Sequence, residues 1–148
     1  MKLTTITGLA LLVIGMAACN DKTKSPDTEK EPIAKAEPIT ELKIESLLRD
    51  SLALQPNLEV IVSYVEVPPN MALEKHYHPG EEFAYLIEGS GEFWLDGESI
   101  VITKPGEASK VPLKRMHSFK ALDNGAKFIV FRIHEKGAPE RIMANEAN

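Results

Sequence analysis

Between Glu59 and His134 the chain is cut into short runs of β-branched and apolar residues by Gly, Pro and Asx-Gly pairs. Val60-Ile61-Val62-Ser63-Tyr64-Val65-Glu66-Val67 is rich in strand formers and stops at Pro68-Pro69,. Phe83 to Ile87 is a second run, closed by Glu88-Gly89-Ser90-Gly91. Asp96-Gly97 separates Glu92–Leu95 from Ser99–Thr103, and Asn124-Gly125 separates Met116–Leu122 from Lys127–His134. Both pairs are two-residue hairpin signals. Short strands at spacings of about 8–12 residues predict an all-β sandwich or barrel. No internal duplication is visible, so one barrel is expected. Leu42 to Leu54 fits either a short helix or a strand leading into it.

A length of 148 residues suits one folded domain, and 43% hydrophobic residues can supply its core,. The net charge of −5, from 17 basic and 22 acidic residues, argues against nucleic acid as a partner, because phosphate binding needs Lys/Arg density. The only cysteine is Cys19, so no internal disulfide forms and any metal site in the folded part must use His and carboxylate ligands. Lys2 followed by an apolar stretch from Ile6 to Ala18 is shorter than the roughly 20 residues a membrane span needs,. It fits the core of an export signal instead. Met16-Ala17-Ala18-Cys19 resembles the lipobox of bacterial lipoproteins. That resemblance implies lipidation of Cys19 with at least two acyl chains, enough for stable anchoring in a lipid bilayer. The protein is then expected outside the cytoplasm, facing the periplasm or the cell exterior. The stretch 19–40 is rich in Lys, Glu, Asp, Pro, Thr and Ala and reads as a flexible tether,, with a span of roughly 25 Å. The expected organisation is a signal peptide at 1–18, the lipidated cysteine and tether at 19–40, and a barrel domain at 41–148.

Three of the four histidines fall into an ordered pattern with a glutamate. His76 and His78 are two apart, so on a strand both imidazoles point to one face,. Glu82 follows the Pro79-Gly80 turn and can be aimed at the same point from the next strand. His117 must return beside them from farther along the chain. Three imidazoles and a carboxylate suit a divalent transition metal such as Mn, Fe, Ni, Cu or Zn. The alternative is a set of unrelated surface histidines. His134 reads as an ordinary strand-end histidine. Tyr64, Trp94, Phe119 and Arg132 either line the barrel mouth or pack, and strand parity alone does not decide.

The segment His76-Tyr77-His78-Pro79-Gly80-Glu81-Glu82, with Gly89 beyond it, resembles the first motif of the cupin superfamily. The family's spacing to Gly89 favours Glu82 over Glu81, which is expected to face outward. Asn70 stands where the family usually has a glycine, and Asn tolerates left-handed backbone angles,. Gly106, Pro112 and His117 match the spacing of the second motif, with Lys114 replacing a glycine and Ala121 an asparagine. The resemblance implies a double-stranded β-helix, or jelly-roll barrel, with His76, His78, Glu82 and His117 as metal ligands. It implies a small-molecule ligand or substrate, and pairing of two copies, with the strand near Leu42–Leu54 as a candidate for exchange. Cupins with these ligands include dioxygenases, isomerases, decarboxylases, lyases and non-catalytic binding proteins. Oxygenase-like chemistry is the preferred expectation; a sugar-acid isomerase or lyase and a non-enzymatic binding or sensing cupin are the alternatives. No nucleophile elbow, Walker loop or dinucleotide fingerprint is present,.

Overall fold

The computed structural model describes residues 37–146. The signal segment, Cys19 and the tether up to residue 36 lie outside the described residues. Eight antiparallel strands follow in chain order: β1 (Lys43–Leu52), β2 (Gln55–Val67), β3 (His76–Tyr77), β4 (Glu81–Leu95), β5 (Val101–Thr103), β6 (Ala108–Val111), β7 (His117–Glu135) and β8 (Ile142–Met143). The ambiguous stretch Leu42–Leu54 resolves as β1, in a hairpin with β2.

The two long strands, β4 and β7, organise everything else. Their first register runs from Glu81↔Ile133 to Gly89↔Ala126, and a second from Gly91↔Ala121 to Leu95↔His117. Between the two registers, residues 122–125 of β7 bulge out opposite Ser90 of β4. Asn124-Gly125 is therefore not the hairpin turn expected from sequence. Gly125 does take a turn-like φ of 71°, but the chain resumes its course as one strand. The pair bends a ladder instead of reversing it, as a β-bulge does.

The bend divides the sheet. On one side the strand order is β1, β2, the end of β7, the start of β4, then β6. On the other it is β5, the end of β4, the start of β7, β3, then β8. The Asp96-Gly97 signal does join paired strands, β4 and β5, with Gly97 at φ 79°.

Alternation fixes what faces inward. On β2 the buried residues are Glu59, Ile61, Ser63, Val65 and Val67, the period of two that one buried face demands. Matching ladder positions on β7 and β4 arrange the interior in rows. Val65, Phe128 and Leu86 form one row, and Ile61, Arg132 and Glu82 another; Glu59 and His134 lie opposite each other. One end of the barrel is thus apolar and the other polar. The apolar end is the core, where Val65, Val67, Leu86, Phe119, Ala121, Ala126 and Phe128 pack together. Phe119 and Phe128 meet edge to face at 4.6 Å, and each such burial contributes about 1.5–3 kcal/mol. The outward positions of the β2–β7–β4 layer are unusually apolar, with Phe83, Tyr85 and Phe131 exposed.

Candidate metal centre

The turns around the candidate site carry its geometry. Pro68 to Met71 closes with Met71 N–H donating to Pro68 O at 3.2 Å, with Asn70 at φ 61°. Pro112 to Arg115 closes likewise at 3.1 Å, with Lys114 at φ 58°. These are the type II positions that favour glycine. Both departures from the glycine pattern therefore keep the left-handed backbone, through Asn at one turn and Lys at the other. Lys114 N–H also donates to His78 O at 3.1 Å, tying this turn to the candidate ligand. Gly80 lets β4 begin hard against β7: a Cβ there would lie 1.9 Å from Ile133 O.

His76 on β3 and His117 on β7 are direct ladder partners. His78 follows β3, and Glu82 reaches in from β4. The three imidazoles are all buried, with ring centroids 4.4 to 5.2 Å apart. Each offers a nitrogen within 4.8 Å of the other two. Glu82 Oε2 stands 2.8 Å from His78 Nε2, and Oε1 stands 3.7 Å from His117 Nε2. Glu81 points away and pairs with Lys110.

Every one of the three rings is held from behind. Nδ1–H of His76 donates to Glu74 O at 2.7 Å, that of His78 to Glu140 O at 2.5 Å, and that of His117 to Arg115 O at 3.0 Å. A neutral imidazole with its proton on Nδ1 carries a lone pair on Nε2. His78 Nε2 is fully buried without an aligned hydrogen-bond partner, although Glu82 Oε2 is close. Two acceptors cannot face each other at 2.8 Å unless a cation or proton lies between them. This orphaned nitrogen, and carbonyls fixing the ligand tautomer from outside, are what a metal site requires. The donor set fits a divalent transition ion.

Electrostatics agree. Burial lowers the pKa of His76 to about 4, against the opposing pull of the Glu74 carbonyl. Burial also lowers that of His117. Burial alone would raise Glu82, but contact with His78 and the fields of His78, His117 and Arg132 outweigh it and hold the carboxyl low. His76 and His117 are therefore disposed to be neutral, and Glu82 ionised, at neutral pH.

A cavity of about 450 Å³ opens on this cluster. Val65, Leu73, Leu86, Phe93, Phe119 and Phe128 supply apolar wall, while Arg132 and Ser63 supply the polar end. Of the four residues whose parity was open, Phe119 and Arg132 line the cavity. Tyr64 faces outward and donates to Glu66 at 2.8 Å, and Trp94 carries Lys75 Nζ over its ring at 3.9 Å. His134 is not an ordinary strand-end residue. It is 3% exposed and bonds Glu59 at 3.0 Å, with Arg49 on the same carboxylate. Glu140 was not singled out in sequence; its carboxylate joins Arg49 and Arg132 while its carbonyl holds His78. Counting by twos from Phe128 would have placed Arg132 and His134 inside, whereas nothing local marks Glu140.

Residues 63–132 match the model of the cupin domain. A polyketide synthase, CurC, from Streptomyces cyaneus is 32% identical over 66 residues, covering 44% of this chain and 42% of that protein. The chain thus spans less than half the length of that relative. Among solved structures, the DMSP lyase DddQ from Ruegeria pomeroyi DSS-3 superposes with a TM-score of 0.56 at 19% identity, covering 72% of this chain and 53% of the other. Oxalate decarboxylase from Bacillus subtilis superposes with a TM-score of 0.56 at 18% identity, over 76% of this chain and 34% of the enzyme. An RmlC-like cupin with a double-stranded β-helix fold from Methanocaldococcus jannaschii gives 0.54 at 17% identity, over 74% and 94%. At these identities the likeness is one of fold. The domain match, the jelly-roll neighbours and the barrel itself agree: residues 63–132 match a cupin domain, and the fold is that of the cupin superfamily.

Proposed function

We propose that the protein is a metal-dependent cupin in which His76, His78, Glu82 and His117 hold a divalent transition metal (Mn, Fe, Ni, Cu or Zn). It acts on a small organic molecule by oxygenase-like chemistry. The observation that carries this reading is the set of three buried imidazoles, each with Nδ1 fixed on a carbonyl and Nε2 left to a common point. A metal there supplies Lewis acidity and, for the redox-active ions, electron transfer to oxygen. The chain's own part is to keep the imidazoles unprotonated, to place Glu82 against them, and to exclude water with the apolar wall. That wall offers few partners to a polyhydroxylated compound, which weighs against the sugar-acid reading. The support for export and for a lipid anchor at Cys19 is the sequence of residues 1–19. The support for a homodimer is the exposed apolar row of Phe83, Tyr85 and Phe131.

The test is metal analysis of the full chain purified in detergent, beside His76→Ala and His117→Ala. About one equivalent is expected in the parent, with affinity falling at least about tenfold in each variant. Metal retained in both variants overturns the site. The loaded protein is then assayed with enol, phenolic and keto-acid panels while oxygen uptake is followed. Turnover without oxygen favours the isomerase or lyase reading, and a ligand recovered unchanged favours binding alone.

A further inference from the structure

The polar end of the cavity holds a charged group that the metal ligands do not account for. Arg132 lines the cavity, and its side chain is only 7% exposed. A guanidinium has five N–H donors in a planar fork. Nη2 donates to Ser63 Oγ at 3.0 Å, and Nη1 stands 3.2 Å from Glu140 Oε2. Nε is buried with no hydrogen-bond partner among the described residues. Glu140 neutralises the guanidinium only in part, because its side chain is 44% exposed and is shared with Arg49. Such a donor inventory is left incomplete by the protein itself, and a buried charge with free donors is costly unless something completes it.

Arg132 also sits in a defined place. It is the direct ladder partner of Glu82 and therefore borders the candidate metal centre. Away from this end the cavity turns apolar, through Val130, Phe128, Leu86 and Phe119. One end of the cavity thus offers a buried guanidinium, set between the carboxylates of Glu82 and Glu140 yet with an unused N–H donor, and the rest offers hydrocarbon contact. A single guanidinium with few spare donors suits a planar monoanion, which Arg takes in a fork-to-fork pair. Arg141 and Glu107 also line the cavity, both exposed to solvent, unlike the buried Arg132.

We infer that the cavity takes a small monocarboxylate with an apolar body, and that Arg132 is the residue that selects the carboxylate. The carboxylate lies at the Arg132 end, beside the metal centre, and the apolar body fills the space toward Phe119 and Phe128. The inference rests on the metal reading only for the neighbouring metal contact; the contact to Arg132 stands without it.

The experiment is calorimetric titration of the full chain in detergent, with metal content measured on the same samples, using butanoate, hexanoate and 3-phenylpropanoate as probes. Their amides and gluconate serve as controls. The carboxylates are expected to bind at least about tenfold tighter than the amides, and the apolar-bodied acids tighter than gluconate. Arg132→Gln is expected to lose the preference over amides, and Arg132→Lys, which keeps the charge beside Glu140, to retain part of it. Equal binding of acid and amide by the parent overturns the inference whether or not the variants fold, as does absence of binding by any carboxylate. Gluconate binding as tightly as hexanoate removes the apolar body, and an undiminished preference in Arg132→Gln removes the role of Arg132. A preference for carboxylate in protein that holds no metal leaves this inference standing and defeats the metal reading instead.

Discussion

Lowering the pH of chelator-treated protein should destabilise it in a window set by its buried imidazoles. His76 is 7% exposed, and burial lowers its pKa from 6.5 to about 4. The unfolded chain therefore takes up this proton at higher pH than the folded one. Stability from His76 is whole above the unfolded value, is lost as the pH falls from 6.5 toward about 4, and does not change further below that,. The slope is roughly 1.4 kcal/mol per pH unit, and the whole window amounts to about 3 kcal/mol. His117, also lowered by burial, adds in the same direction. Glu82 acts lower down: its held-down carboxyl contributes stability above its ordinary 4.5, lost only as the pH drops below that. The assay is urea unfolding of chelator-treated protein, followed by the fluorescence of Trp94, between about pH 7 and about pH 4.5. His76→Asn serves as control and should show a shallower dependence by roughly 1.4 kcal/mol per pH unit over the same range. A parent protein equally stable at both ends of the range, or a variant with an unchanged slope, would refute the reasoning.

Two further perturbations probe the frame around the site. Gly91→Ala would bring its Cβ to 2.0 Å from Phe119 Cζ and 2.6 Å from Lys120 O. It should cost about 1–3 kcal/mol in urea unfolding, as overpacking does; an unchanged midpoint would show that the Phe119 ring can move aside. Lys114→Gly removes a side chain from a backbone at φ 58°. The relief of left-handed strain, about 1 kcal/mol, is opposed by the greater freedom of glycine in the unfolded chain. The expected result is neutral to slightly stabilising, with metal content unchanged, and a clear loss of stability would mean that the Lys114 side chain contributes contacts of its own.

The barrel was legible because strand period and turn chemistry are local properties. Val60 to Val67 alternates inward and outward as its composition implies. The same locality explains the error at Asn124-Gly125. A dipeptide that can take turn angles does not say whether the chain reverses, and here the partner strand β4 continues past it through Gly91 to Leu95. The candidate cluster was legible through spacing, since His76 and His78 share a strand face and His117 pairs across the ladder. What surrounds it was not. Glu59 reaches His134, Glu140 reaches Arg132 and His78, and Arg49 reaches both carboxylates, only through tertiary pairing. A buried polar residue looks like any surface polar residue until its strand register is known.

The match to the family ends at residue 132, but the chain does not finish building the barrel's polar end there. After β7 it crosses back, lays Ile142 and Met143 alongside β3, and presents the carbonyl of Glu140 to His78. A fragment trimmed at the limit of sequence similarity would keep all four candidate ligands, yet His78 would be free to flip to its other tautomer. The portable unit for grafting, fusion or directed evolution therefore runs through the last described residues. A tag or partner joined there sits one short strand away from the imidazoles.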